Sequence, residues 1–316
     1  MTALEAVAAY LPGQRVPIED LAGELGLTRI QVRVFQRYHG LARVCRAPER
    51  TPLDLLRAAV AELAALRGRE HQVRYVLYAR GMPVAAPYPR NPLHELCREL
   101  GLGRAAAFTV TQQACAASLL AVDLAGRLLA AGHEPGALAL VLAGEKAFTR
   151  VARLVPETSI FAEGAAACLV SAHGARDRLL AYASRSRGEF DGGPGVAPGE
   201  QRALAARFQQ EFPRSLSEVI LAAASRAGTS LDQIGLILPH NVNAVSWRQW
   251  CKEAGYPLAR VLLDNVPAAG HSFCADPFIN YRTAADRGLL HPGEKYLVAA
   301  AGAGPGATFS AMVFEH

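Results

Sequence analysis

The sequence predicts an α/β protein made of two related halves, and three observations carry that reading. The strand candidates ALALVLAG, IGLILP and YLVAAAG run apolar along their length, as strands buried on both faces of a sheet do. They alternate with helix-period segments such as LDLLRAAVAELAALRG. A helix–strand unit also recurs: Pro52 opens the helix of one copy and Pro213 that of the other, 161 residues on, and Leu77 and Leu238 in the strands that follow keep the same offset.

A second unit repeats at about the same spacing. It runs from Cys115 through AASLLAVDLAGRLLAAG to ALALVLAGEKA, and again from His271 through CADPFINYRTAADRGLL to YLVAAAGAG. The halves are taken as 1–175 and 176–316, with the junction at the polar, Gly- and Pro-rich stretch SRSRGEFDGGPGVAPGEQ. An active site is expected between them.

Composition narrows the class further. The chain has 316 residues, 51% hydrophobic and 19% charged, which excludes a disordered chain and permits a large core. No apolar run is expected to reach the ~20 residues of a membrane span, and MTALEAVAAYLPGQ has no basic leader, so a cytoplasmic protein is expected. Net charge is +5, with 30 Arg and 3 Lys. The arginines are scattered and no nucleic-acid motif accompanies them, so a local Arg patch for an acidic carrier protein or a phosphate is the better reading. The six cysteines form no C-x-x-C pair, and neither a disulfide framework nor a metal site is expected.

Three residues stand out chemically. Cys115 follows the strand AAFTVTQQ and directly precedes a helix, whose positive end favours a thiolate. His240 ends the strand IGLILP, and Asn243 either fixes its ring or caps the next helix. His271, in AAGHSFCADPF, lies near the position that matches Cys115 in the repeat. One thiolate and two imidazoles suit covalent acyl chemistry. GAGPG at 302–306 has too few residues after it for a dinucleotide fold, but its N–H groups suit an oxyanion hole.

Taken together, these segments resemble the thiolase superfamily, and β-ketoacyl-ACP synthase III in particular, along nearly the whole chain. TVTQQACAASLLAVDLA resembles the nucleophile motif, LVLAGEKAFTRVARLVPETSIFAEGAAACLV the EK…FGDGAGA block, LPHNVN the P-H-Q-A-N motif, and YLVAAAGAGPGATFSAMVFE the terminal strand pair. The resemblance implies a duplicated five-layered fold (αβαβα), a homodimer and acyl thioesters as substrates, with no separate cofactor. It makes Cys115 the nucleophile and His240 its partner. The family's G-N-T/S motif reads G-H-S here, so His271 replaces an Asn and yields the Cys-His-His set of the sister ketosynthases I and II.

Other departures follow from the resemblance. The family's middle oxyanion glycine falls on Pro305, which has no N–H, so Gly304 or Gly306 would supply the donor beside the Cys115 N–H. In RVFQRYHGLARV, Arg37 keeps one basic contact, while Arg33 stands near the place of the family's coenzyme A-stacking Trp. A further Arg is replaced near Pro156. These losses turn the expectation toward an acyl carrier protein as donor. Phe161, Phe273 and Phe278 are candidates to shape the acyl pocket. Three activities fit: decarboxylative condensation with a malonyl thioester; transfer without decarboxylation to an alcohol, amine or thiol; and, motivated by Pro305, a non-catalytic partner subunit.

Overall fold

The computed structural model describes residues 1–82, 85–155, 158–191, 198–304 and 306–316. Pro156 and Pro305 therefore lie outside the described residues. Nine strands form one mixed sheet: β1 (Ala3–Tyr10), β2 (Val73–Ala79), β3 (Ala106–Val110), β4 (Leu138–Glu145), β5 (Gly164–Ser171), β6 (Arg178–Arg187), β7 (Ile234–Pro239), β8 (Lys295–Gly304) and β9 (Gly306–Glu315). Their order is β7-β8-β9-β6-β1-β5-β4-β2-β3. Outward from the middle, the two arms mirror each other. β1 pairs antiparallel with β5, β5 with β4, and β4 runs parallel to β2. β6 likewise pairs antiparallel with β9, β9 with β8, and β8 runs parallel to β7. Between the arms, β1 pairs antiparallel with β6 where Ala3 faces Arg178.

The strand alternation sorts the core into layers. Val141 and Ala143 of β4, with Leu238, Val298 and Met312 of the other arm, pack on the helices α2 (Ala117–Gly132) and α5 (Asp276–Asp286). Leu140 and Leu142 point the other way, onto Leu55, Leu56 and Ala59 of α1 (Pro52–Ala61). Ile237, Leu297 and Val313 face Leu216, Val219 and Ile220 of α3 (Pro198–Arg226) and Trp247 and Trp250 of α4 (Ala244–Ala254). The result is five layers: α1, one arm, α2 with α5, the second arm, then α3 with α4. Each fully buried Leu, Val or Phe contributes about 1.5–3 kcal/mol.

Three expectations are corrected. Pro213 does not open a helix; it sits inside α3, which begins at Pro198. An interior Pro costs about 3 kcal/mol, but Phe212, Leu216, Val219 and Ala223 bury along one helix face and offset it. The stretch SRSR is not connector but the end of β6, already paired with β9. Finally, Ala114–Gly132 is long and apolar enough to cross a membrane, with mean hydropathy 1.6. It lies between the two arms, and its side chains at 119, 121, 122 and 125 are inaccessible. A core helix needs apolar residues all round for the same reason a membrane span does.

Candidate active site

Cys115 sits in the short turn Ala114–Ala116 that connects β3 to α2. The turn is strained. Gln112 and Ala114 adopt φ of 72° and 43°, the left-handed region that costs an L residue about 1–2 kcal/mol. Such strain concentrates at functional sites. β8 braces the turn through Gly302: a Cβ there would lie 2.2 Å from the Gln113 carbonyl oxygen and 3.0 Å from the Cys115 nitrogen. Only glycine allows this approach.

His271 is held by backbone bonds from the loop after β4. Its carbonyl accepts from the Ala162 N–H at 2.7 Å, and its N–H donates to Ile160 at 3.3 Å. Its ring lies between two side chains. Nε2 is 3.0 Å from Cys115 Sγ and Nδ1 is 2.5 Å from Asp276 Oδ2. Asp276, in the first turn of α5, also accepts the Asn241 N–H at 2.6 Å and the Ser272 N–H at 2.7 Å. Cys115, His271 and Asp276 thus form one buried line, thiol to imidazole to carboxylate. Burial alone would lower the His271 pKa; the charges of Cys115 and Asp276 beside it prevail and push it up to about 10.

His240 joins the site differently. Its ring centroid is 6.3 Å from that of His271, and its other neighbours are Trp247 and Phe212. Among the described residues Nδ1 has no hydrogen-bond partner, and the backbone N–H of His240 donates to the Ala299 carbonyl at 3.1 Å. Burial first, and the His271 charge second, push its pKa down to about 3, so the ring is neutral at any ordinary pH. Asn280 fixes the segment that carries His240: its amide donates at 2.8 Å to both the Pro239 carbonyl and Asn241 Oδ1.

The remaining expected residues divide. Phe161 and Phe273 do reach the site. Their rings stack with centroids 3.9 Å apart, and Phe161 also stacks on His271 at 4.9 Å. Phe278 lies instead in the core of the central layer. Asn243 caps α4, accepting the Ser246 N–H at 2.8 Å, and its amide reaches toward Thr158 rather than His240. Gly304 and Gly306 oppose each other at the tip of the β8–β9 hairpin, and a Cβ on Gly306 would approach Arg187 and Gly188. Gly302 is the glycine against the nucleophile turn. Arg37 is exposed on the 29–39 helix. The repeat also needs a shift: α2 and α5 begin 159 residues apart (117 and 276), an offset that carries Cys115 onto Cys274, not onto His271.

Two site residues were missed. Asp276 carries a visible signal, an acidic residue in the apolar run FCADPFI, but sequence cannot separate a helix-terminal Asp from a His partner. Glu145 ends β4, almost wholly buried, and accepts the Gly81 and Met82 N–H groups at 2.7 and 2.6 Å and the Cys274 thiol at 3.3 Å. Burial raises its pKa despite these donors.

A thiol, an imidazole and a carboxylate thus stand in line at a strained strand-to-helix turn, an arrangement suited to covalent chemistry through the thiol. The family model for the C-terminal part of 3-oxoacyl-[acyl-carrier-protein] synthase III matches residues 224–316. A β-ketoacyl-[acyl-carrier-protein] synthase III of Rhodobacter capsulatus is 25% identical over 320 residues, covering 95% of each chain. Its counterpart in Ruegeria sp. (strain TM1040) is 27% identical over 220 residues, 65% of this chain and 67% of the relative. Among solved structures, ChlB3, described as an acyltransferase, aligns with a TM-score of 0.84 at 24% identity, covering 99% of this chain and 97% of its own. The 3-oxoacyl-[acyl-carrier-protein] synthase III of Aquifex aeolicus VF5 aligns with a TM-score of 0.81 at 19% identity over the full length of both chains. The chain is thus similar to β-ketoacyl-[acyl-carrier-protein] synthase III enzymes in sequence, and shares their fold.

Proposed function

We propose that this enzyme transfers an acyl group through a thioester on Cys115 and condenses it with a malonyl thioester, as the names of its relatives suggest. The observation that carries the reading is the 3.0 Å contact between Cys115 Sγ and His271 Nε2. Cys115 attacks the acyl thioester carbonyl as a thiolate. His271, held protonated between thiolate and carboxylate, passes its Nε2 proton to the departing thiol. The acyl–sulfur bond to Cys115 forms as the donor's breaks. The Cys115 N–H, at the start of α2, is aimed to stabilise the oxyanion. The malonyl thioester then loses carbon dioxide, its carbon attacks the Cys115 acyl carbonyl, and the acyl–sulfur bond breaks to release the β-keto thioester and return the Cys115 thiolate. His240 is neutral and offers a ring N–H to the enolate oxygen.

A second reading has its own support. Acylation removes the thiolate charge that helps hold the proton on His271. With Asp276 bonded at Nδ1, the neutral ring carries its proton there and a free lone pair at Nε2. That tautomer is a general base, which suits an alcohol, amine or thiol acceptor better than it suits an enolate needing a second N–H. The test is to load Cys115 with an acyl group and add a malonyl thioester or an alcohol separately. A β-keto product with carbon dioxide released supports condensation. Discharge by the alcohol alone overturns it in favour of the second reading.

The donor in this proposal is an acyl carrier protein, the compartment is the cytoplasm, and the enzyme is a homodimer. The exposed edge strand β3 at the end of the sheet is a natural place for a second copy to pair.

A further inference from the structure

Glu145, at the end of β4, is 3% exposed and stands outside the thiol–imidazole–carboxylate line. Three donors converge on it. Oε2 accepts the Gly81 N–H at 2.7 Å and the Cys274 thiol at 3.3 Å, and Oε1 accepts the Met82 N–H at 2.6 Å. The donors come from two distant segments. Gly81 and Met82 follow the end of β2, whereas Cys274 belongs to the turn Phe273–Ala275 before α5. Burying a carboxyl costs free energy unless its oxygens are hydrogen-bonded, and these donors meet that requirement.

Both segments touch the same residue. A Cβ on Gly81 would lie 3.2 Å from the Ala114 Cα and 3.3 Å from its carbonyl carbon, so the Gly81 backbone rests directly on Ala114. The Cys274 sulfur stands 3.6 Å from the Ala114 carbonyl oxygen. Ala114 is the strained residue before Cys115, with φ of 43°. A left-handed alanine persists only where its surroundings hold it. Glu145 bonds to both of these flanking segments.

The Cys274 bond also ties in the imidazole. Cys274 lies three residues after His271 and two before Asp276. Its carbonyl accepts the Ser118 hydroxyl at 2.7 Å, from the first turn of α2. By the offset between α2 and α5, its turn is the repeat counterpart of the nucleophile turn. The two turns meet beside Glu145, one carrying the thiol and the other leading on from the imidazole. A shift of either changes the 3.0 Å contact between Cys115 and His271. We infer that Glu145 is a positioning residue: by bonding Gly81, Met82 and Cys274 at once, it sets the separation of the Cys115 thiol from the His271 ring and so the rate of acylation. The inference rests on the acyl-transfer reading. Glu145 acts through Ala114 and the 273–275 turn, not on the reacting atoms.

The test measures Cys115 acylation by acetyl, octanoyl and benzoyl thioesters of N-acetylcysteamine, with the fastest donor resolved into maximal rate and half-saturating concentration. Glu145→Ala should lower the maximal rate about a hundredfold, the loss that a misplacement of about 1 Å produces, and leave half-saturation within about twofold. Cys274→Ala cuts one of the three bonds and should cost about tenfold. Cys274→Ser, whose hydroxyl donates to the same acceptors, should recover most of that loss. Packing alone predicts otherwise, because Ser and Ala both give up the volume of the sulfur. Glu145→Ala/Cys274→Ala should match Glu145→Ala within about threefold, since both changes act along one path. Iodoacetamide alkylation of Cys115, read by peptide mapping, should fall in the same order without any acyl donor. A thermal melt checks that each variant is folded.

The proposal is overturned if folded Glu145→Ala is acylated within about threefold of the wild-type rate, or if it raises half-saturation and leaves the maximal rate alone. It is also overturned if Cys274→Ser is as slow as Cys274→Ala, or if the losses multiply in the double variant. Should Glu145→Ala fail to fold, the Cys274 pair decides the matter. Wild-type acylation with all variants alike overturns the positioning role alone. A wild-type enzyme that takes no acyl group, while alkylation keeps the expected order, overturns the acyl-transfer reading and supports the geometry assigned to Glu145. Failure of both overturns both.

Discussion

Asp276 is the residue on which the site's chemistry turns, and replacing it with Asn separates charge from shape. The carboxylate accepts three buried N–H groups, from His271, Asn241 and Ser272. Removing it altogether would leave three donors unsatisfied at about 1–3 kcal/mol each, a large part of a typical stability of about 5–15 kcal/mol. Asn keeps one acceptor oxygen and the volume, so the fold should survive. It loses the charge. Two unit charges about 4 Å apart interact by about 4 kcal/mol at an effective dielectric of 20, or about three pKa units. Asp276 is one of the two groups that lift His271 to about 10. Without it the imidazole stops being protonated near neutrality, and its tautomer is no longer fixed. The rate of Cys115 acylation at pH 7, followed by rapid quench and intact-protein mass, should fall by up to about 10⁴, the loss seen when the carboxylate of a Ser-His-Asp triad becomes an amide. Wild-type acylation should persist toward pH 10 before its alkaline limb, whereas Asp276→Asn should lose activity nearer neutrality. A variant within threefold of wild type, with an unmoved alkaline limb, would refute the reasoning.

Three further outcomes follow from the same geometry. His240 has a folded pKa depressed to about 3, so its neutral form contributes stability above pH 6.5 that is lost as pH falls toward 3, by up to about 1.4 kcal/mol per pH unit. His271 is displaced upward, so it adds stability between about pH 10 and 6.5 and no further slope below that. Urea melts from pH 7 to 4 should show the acid loss, and His240→Gln should flatten it. Gly302→Ala drives a Cβ into the Gln113 carbonyl and the Cys115 N–H, so Cys115 acylation should drop at least tenfold and Tm should fall, because backbone cannot yield as a side chain can. Phe161→Ala removes a ring stacked on both Phe273 and His271, a loss of about 0.5–1.5 kcal/mol per aromatic pair beyond area. Its acyl-chain profile, measured by competing thioesters, should extend to longer chains; an unchanged profile would remove Phe161 from the pocket.

The strands and their two-sided burial were legible because period and apolar content are local properties, and Leu138–Glu145 and Ile234–Pro239 fall where ALALVLAG and IGLILP predict. The start of α3 was not, because Pro213 reads as a helix opener wherever it stands, and only packing reveals that the helix runs through it. Cys115, His240 and His271 were legible as residue types at strand and helix ends. Their pairing was not. The resemblance pairs Cys115 with His240, whereas the structure puts His271 against the thiol, with the His240 ring 6.3 Å from that of His271. Asp276 lies five residues beyond His271, and the contact between them depends on the path of the chain through Phe273, at φ 53°, into α5, which sequence does not show. Gly302 could not be told from Gly304 and Gly306 without knowing which of them the nucleophile turn touches.

The most direct test of the central claim is intact-protein mass spectrometry after incubation with an acyl thioester, followed by peptide mapping. The account predicts a single acyl addition on Cys115, absent in Cys115→Ala and slowed in His271→Ala. An addition that persists in Cys115→Ala, or a wild-type protein that never acquires one from either a carrier-bound or a small thioester, would contradict it.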